Sequence, residues 1–159
     1  MKTAQWKMQS PVGTLYLIAT EKALKALCFR RPPGEFLKNL DGRSPEVKIL
    51  ARTVKQLEEY FRGQRRDFDL PLEMDGTDFQ KKVWSELAKI PYGKTCSYRD
   101  VAKEIKNDKA VRAVGTANGR NPIAIIVPCH RVIAADGTLG GYGGGLDNKT
   151  KLLDIEKRP

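Results

Sequence analysis

Apolar and polar positions alternate at the start of the chain, with Ala4, Trp6 and Met8 separated by polar residues, the repeat of two expected of a half-buried strand. Ser10-Pro11-Val12-Gly13 supplies a turn and Thr14 to Ala19 a second strand; after a turn at Thr20-Glu21-Lys22, residues 23–29 make a third. The pattern predicts a small antiparallel sheet in which Cys28 is a packing residue. Arg30-Arg31-Pro32-Pro33-Gly34 ends it, and the stretch to Gly42 is weakly patterned. The period then becomes helical. Ser44 as N-cap, Pro45 at the first helical position and Leu50, Val54, Leu57 and Phe61 predict a helix that ends at Gly63 and covers the sheet. Phe68-Asp69-Leu70-Pro71-Leu72 reads as an edge strand, and Glu73-Met74-Asp75-Gly76 as a linker between two lobes, 1–76 and 77–159.

The second lobe reads as mostly helical. Thr77-Asp78-Phe79-Gln80 is a capping box that opens a helix with Phe79, Val83, Trp84 and Leu87 inward, stopped by Pro91. Gly93-Lys94-Thr95 has the end of a phosphate loop, but the earlier glycine would fall at Ala88 and the stretch follows a helix, so nucleotide binding is rejected. Ser97 and Asp100 cap a short helix with Val101, Ala102 and Ile105 on its apolar face, ending near Asn107. A further helix is expected from about Asp108 to Asn118, and the pair suggests helix-turn-helix geometry. The second helix is rich in Ala and Gly although Gly115 costs about 1 kcal/mol relative to alanine. Small side chains suit either entry into a narrow groove or tight helix packing, with Arg112 the one long basic residue.

Ile123 to Val127 reads as a short buried strand or extended run delivering Pro128-Cys129-His130-Arg131, with Val132 to Ala134 continuing towards a turn at Asp136-Gly137. Here a cysteine adjoins the one histidine of the chain. An imidazole that takes the thiol proton makes the thiolate nucleophile, and Arg131 adds a charge favouring an anion. A cysteine in an apolar run is equally an inert core residue. Neighbours on a strand point to opposite faces, so a water is expected to bridge Cys129 and His130. After the glycine-rich loop at 140–145, a helix from about Asp147 to Lys157 turns Leu152 and Leu153 inward, with Glu156 beside them. A carboxylate on a buried face needs a partner, and His130 is the candidate. The alternative leaves Glu156 in solvent at a frayed end.

Composition narrows the class. Cys28, Cys96 and Cys129 contain no C-x-x-C pair, which argues against a disulfide framework and a structural zinc and for a reducing, cytoplasmic or nuclear compartment. Neither a signal peptide nor a membrane span is evident. Net charge is +10, and between residues 79 and 131 there are 11 basic against four acidic residues, so the excess lies before and around the cysteine. That balance suits a polyanion partner, although solvated helix faces can also be basic.

Pro128-Cys129-His130-Arg131, preceded by Arg112-Ala113-Val114-Gly115 and Asn121-Pro122 and followed by Gly-Tyr-x-Gly-Gly-Leu at 141–146, resembles the O6-alkylguanine-DNA alkyltransferase family. Phe-Gln-x-x-Val-Trp at 79–84 and Gly-Lys-Thr-Cys-Ser-Tyr at 93–98 extend the match, which is dense from Thr77 to Glu156 and one of pattern before it. The resemblance implies an α/β (α+β) protein with a ribonuclease-H-like N-terminal lobe and a helix-turn-helix C-terminal lobe. It implies irreversible, once-per-molecule transfer of an alkyl group from O6 of guanine to Cys129, with His130 as base through a water, Glu156 orienting it and Asn121 holding the turn. Tyr98 would contact the flipped base and help protonate the leaving group; Tyr142, the backbone at Cys129 and Val132, and the N–H of Gly143 would complete the base pocket. Arg112, Ala113, Gly115, Thr116, Ala117 and Arg120 would form the DNA face, with Arg112 filling the gap left by the flipped nucleotide. The implied partner is duplex DNA carrying O6-alkylguanine, approached from the minor groove, with O4-alkylthymine as a second candidate lesion. A monomer, open to cooperative assembly on DNA, and no cofactor or metal complete the expectation. Many members carry serine where this chain has Gly143, which leaves the N–H and removes a hydroxyl. Two rivals are a lesion-binding module without chemistry, against which Cys129 argues, and a cysteine hydrolase or redox enzyme, which lacks a second histidine or resolving cysteine here.

Overall fold

Thr3–Ser10 (β1) and Gly13–Thr20 (β2) form a hairpin in which Ser10 pairs with Gly13 and Thr3 with Thr20. Gly13, at φ +92°, takes the conformation that L-residues resist, and Ser10 Oγ closes the turn by accepting from the Val12 N–H and donating to the Gly13 carbonyl. Leu24–Cys28 (β3) adds antiparallel to β2, giving the order β1-β2-β3. The structure, a computed structural model, describes residues 2–158 and divides the chain into two units, one ending at Met74 and one opening at Asp75.

In the first unit the helix Pro45–Phe61 (α1) packs on all three strands. Leu15, Leu17 and Ala19, two apart on β2, are buried with Leu24, Leu27, Leu50, Leu57 and Tyr60. Each large side chain so placed contributes roughly 1.5–3 kcal/mol. Ser44 has the extended backbone of an N-cap but makes no side-chain cap bond; its hydroxyl bonds Glu46 instead, and Pro45 sets the start of the helix. The expected edge strand at 68–72 is absent. Leu72 makes one parallel bridge to Leu24, flanked by bonds from the Leu24 N–H to the Pro71 carbonyl and from the Glu73 N–H to the Leu24 carbonyl. Pro71 has no N–H with which to extend a ladder. The Gln56 amide takes the place of a strand neighbour for Asp69, donating to its carbonyl and accepting its N–H, both at 2.9 Å.

The second unit begins with Asp78–Leu87 (α2), opened by the complete Thr77/Gln80 capping box. It buries Val83, Trp84 and Leu87, whereas Phe79 is half-buried, and it stops before Pro91 is reached. Cys96–Ser97 (β4) leads into Tyr98–Glu104 (α3), whose Ser97/Asp100 box is also complete. α3 ends at Glu104, short of Asn107, because the chain enters a Schellman turn: Lys106 sits at φ +59°, its N–H bonds the Lys103 carbonyl, and the Asn107 N–H bonds the Ala102 carbonyl. Residues 108–110 finish that turn, so the next helix, Val111–Gly119 (α4), starts three residues later than its composition suggests. α2, α3 and α4 pack on one another, and the Trp84 indole N–H donates to the Ala117 carbonyl at 2.9 Å.

Beyond α4, a 3-10 turn over Cys129–Arg131 leads into Val132–Ile133 (β5), which pairs parallel with β4, Cys96 opposite Val132. Leu146–Glu156 (α5) closes the unit with Lys149, Leu152, Ile155 and Glu156 buried and Leu153 half-buried. Among the described residues no helix is long and apolar enough to cross a membrane.

Candidate active site

The residues before the cysteine are a turn, where the apolar run suggested a strand. Asn121 organises it: its Oδ1 accepts the Ile123 N–H at 3.0 Å, and its Nδ2 donates to the Val127 carbonyl at 2.7 Å. Between these, Ile125 adopts φ +70° and is buried. A β-branched residue in that region stores about 1–3 kcal/mol, which the surrounding bonds and burial hold in place. The Cys129 N–H then bonds the Val127 carbonyl, the Arg131 N–H bonds the Pro128 carbonyl, and Asn118 donates to the Cys129 carbonyl at 3.4 Å. Cys129 and His130 therefore follow one another on a 3-10 turn rather than on opposite faces of a strand.

Cys129 is buried, and burial pushes its thiol above the usual range; the Asn121 amide, the Lys149 charge and the Tyr142 hydroxyl beside it oppose that shift without overcoming it. The resting sulfur is thus a thiol whose proton must leave when it reacts. His130 has no exposed surface, and burial also pulls its imidazole below the ordinary histidine value despite Glu156. Its Nε2 lies 2.6 Å from Glu156 Oε2, and its Nδ1 has no hydrogen-bond partner among the described residues. An ionised carboxylate only accepts, so Nε2 carries the proton and Nδ1 the lone pair. The frayed-end alternative for Glu156 is excluded: it is 4% exposed, and it accepts also from Arg131 Nε and Nη2 at 2.8 and 3.0 Å and from the Gly93 N–H at 3.4 Å.

Tyr98 is half-buried, and burial first, then the nearness of the Cys129 sulfur, raises its hydroxyl above the usual phenol value. Its ring lies beside Gly115 and Gly140. At Gly140, φ is +70° and an added Cβ would lie 2.9 Å from the Tyr98 hydroxyl, so two constraints require glycine. At Gly115 a Cβ would meet the Tyr98 ring at an ordinary 3.9 Å, so packing does not compel a glycine there. Gly143 is exposed, and a Cβ would meet nothing nearer than the Gly119 carbonyl at 3.9 Å, so there is room for the serine that is absent.

On α4 and its C-cap, Arg112, Ala113, Thr116 and Arg120 are exposed and Gly115 is half-buried. Ala117 is the correction: it is 2% exposed and its carbonyl holds Trp84, so it faces the core. Val132 is also more committed than expected, because its N–H bonds the Cys129 carbonyl and its own carbonyl accepts from Lys149.

Lys149 and Gly93 had no role in the sequence reading, and Arg131 figured there only as a positive charge favouring an anion. Arg131 grips Glu156 through two nitrogens and gives its third to the Ile90 carbonyl at 2.6 Å. Lys149 has no exposed surface and donates to the carbonyls of Val132, Leu139 and Gly141, the full donor set of an ammonium group. Gly93, in the stretch rejected as a phosphate loop, supplies an N–H to Glu156. Lys149 had a signal, since 149, 152 and 156 share the buried stripe of α5; nothing in the spacing marks Arg131. Among the described residues no group of three His, Cys, Asp or Glu could hold a metal ion.

Comparison with known proteins gives a consistent result. Residues 6–74 match the 6-O-methylguanine DNA methyltransferase, ribonuclease-like domain, and residues 78–158 match the DNA binding domain of the same description. The methylated-DNA–protein-cysteine methyltransferase of Methanosarcina barkeri is 46% identical over 94% of this chain and 94% of its own, and that of Mycolicibacterium paratuberculosis 46% over 95% and 90%. The crystal structure of Mycobacterium tuberculosis OGT in complex with DNA superposes with a TM-score of 0.83 at 44% identity, covering 97% of this chain and 92% of that one. With both units matched and the Cys-His-Glu arrangement in place, the chain belongs to the 6-O-methylguanine DNA methyltransferase family, the methylated-DNA–protein-cysteine methyltransferases.

Proposed function

We propose that this protein repairs DNA by moving the alkyl group of O6-alkylguanine onto Cys129 Sγ, once per molecule. The observation that carries the reading is the buried thiol followed in sequence by an imidazole whose Nε2 is fixed on Glu156 and whose Nδ1 lone pair is left free of any described partner. A water between Nδ1 and the sulfur takes the thiol proton to His130 as the S–C bond forms in line with the breaking O6–C bond. The guanine leaves as its anion and takes a proton from the Tyr98 hydroxyl, held in its neutral form by burial; the proton that His130 received returns through solvent to the phenolate, so the net movement is of one proton from Sγ to guanine. The S–C thioether has no hydrolytic exit, so the thiol is not regenerated.

The target atom is inaccessible in a stacked duplex, and extrusion costs a few kcal/mol. The exposed face of α4 is suited to offset it: Ala113, Gly115 and Thr116 are small enough for a minor groove, and Arg112 and Arg120 meet the phosphates or fill the stack. Asn121 holds the turn, and the glycine loop with Tyr142 and the Gly143 N–H borders the base. The same pocket chemistry admits O4-alkylthymine, and a monomer acting in the cytoplasm fits the reading.

Intact mass decides the central claim. Incubation with a duplex containing O6-methylguanine adds one methylene, located at Cys129, in a 1:1 ratio. Repeated turnover, or an unchanged mass with the lesion bound, refutes it in favour of a recycling enzyme or a binding module. Arg112→Ala slows repair of duplex about tenfold or more while leaving a single-stranded substrate, which has no gap to fill, nearly unaffected. Equal slowing on both substrates would remove the intercalating role.

A further inference from the structure

The Arg131 guanidinium takes no part in the transfer described above, yet it shares one buried carboxylate with the base. Glu156 Oε2 accepts both from His130 Nε2 at 2.6 Å and from Arg131 Nη2 at 3.0 Å, while Oε1 accepts Arg131 Nε at 2.8 Å. The guanidinium is anchored from behind by the Ile90 carbonyl and lies 5.7 Å from the centre of the Tyr92 ring. We propose that Arg131 is a positioning residue which, through the carboxylate it shares with His130, keeps the imidazole a neutral base able to take the Cys129 proton. This rests on the reading of His130 as that base.

The reason is charge balance in a buried space. An isolated carboxylate beside an imidazole is best neutralised by protonating the ring, which would leave an imidazolium with no lone pair to offer. Here the guanidinium already neutralises Glu156, so a second proton on His130 would add an uncompensated positive charge where water is excluded. A guanidinium keeps its charge throughout the pH range in which proteins work, so the compensation does not lapse. Of the two buried cations that act on His130, only Arg131 also bonds the carboxylate that His130 bonds. From α5 the groups acting on His130 are Glu156 and Lys149, the latter a second cation acting in the same direction; α2, which packs on the 3-10 turn, buries Val83, Trp84 and Leu87, none charged; Tyr92 lies against Arg131, and Tyr142 beside Cys129. The depressed proton affinity of His130, caused first by burial and opposed by Glu156, includes an Arg131 contribution of the expected sign.

Because His130 is the one histidine in the chain, its ring proton resonances report its titration without interference from another imidazole. In Arg131→Met the titration midpoint rises by about one pH unit or more, and the rate of methyl transfer near pH 7 falls about tenfold and recovers as the pH is raised. Arg131→Lys, which keeps a cation but loses the fork, gives a smaller rise. A midpoint that stays at the parent value in these variants overturns the proposal, as does a rate lost equally at every pH. If Arg131→Met does not fold, the lysine variant and the parent decide: a parent imidazole already protonated at pH 7 is equally fatal. A parent whose titration behaves as expected but which gains no mass from the lesion removes the transfer reading and leaves the control of His130 charge standing.

Discussion

Cys129→Ser abolishes alkyl transfer while leaving the affinity for lesion-containing duplex within about twofold of the parent. The side chain is replaced by one of nearly the same shape in a buried site, so the 3-10 turn and its Asn118 and Asn121 bonds persist. A serine hydroxyl is far less acidic than a thiol, and a neutral imidazole reached through water cannot generate the alkoxide, so the rate falls by at least roughly a thousandfold. The other two thiols do not substitute. Burial raises both, and Cys96 is pushed up to about 11 with help from Asp100. The variant is therefore expected to show no added methylene after long incubation, although Cys28 and Cys96 remain present. A methylated product from it would place the acceptor elsewhere and end the assignment; lost binding together with lost transfer would show that the sulfur also supports the base pocket.

Glu156→Ala carries the largest stability loss. It removes one acidic group and orphans donors from three parts of the unit: the Arg131 fork, His130 Nε2 and the Gly93 N–H. The severe part is Arg131, which is 6% exposed and would keep its charge with one carbonyl as partner. Breaking a buried ion pair from one side costs about 3–5 kcal/mol, which for a chain of this size lowers the melting temperature by roughly 10 °C. Glu156→Gln retains the shape and some acceptor capacity and should lie between the two. Transfer falls in both variants, because His130 loses the group that fixes its tautomer. Thermal unfolding followed by circular dichroism checks the first effect, and a variant as stable as the parent would mean that water compensates Arg131 at the α5 terminus.

The contrast between these two residues shows what the sequence could carry. Cys129 was legible because its chemistry is local: Pro-Cys-His-Arg names the nucleophile, and two capping boxes and the Ser44-Pro45 start fix where the helices begin. Glu156 was half legible, since its position on the α5 stripe demanded a partner and the one histidine was available. Arg131 was legible only as a positive charge favouring an anion; its fork onto Glu156 spans 25 residues and no periodicity encodes it. The strand expected at 123–127 failed for a related reason. Its β-branched residues prefer extended backbone, and Asn121, from outside the run, imposes the turn and the positive φ of Ile125 on them. The edge strand at 68–72 failed to a proline and a glutamine side chain. Local preference predicted elements well where nothing distant overruled it.

Lys149 has a consequence for reactivity towards small electrophiles. Its amine holds the carbonyls on either side of Gly140 and that of Val132, with no surface left for solvent. Surface lysines are open to acylating reagents at once; this one becomes nucleophilic only after the loop has let go of it and its proton has left. The pace at which such a reagent marks Lys149 is therefore a clock for spontaneous opening of the segment that borders Cys129, readable by peptide mass analysis with no DNA present.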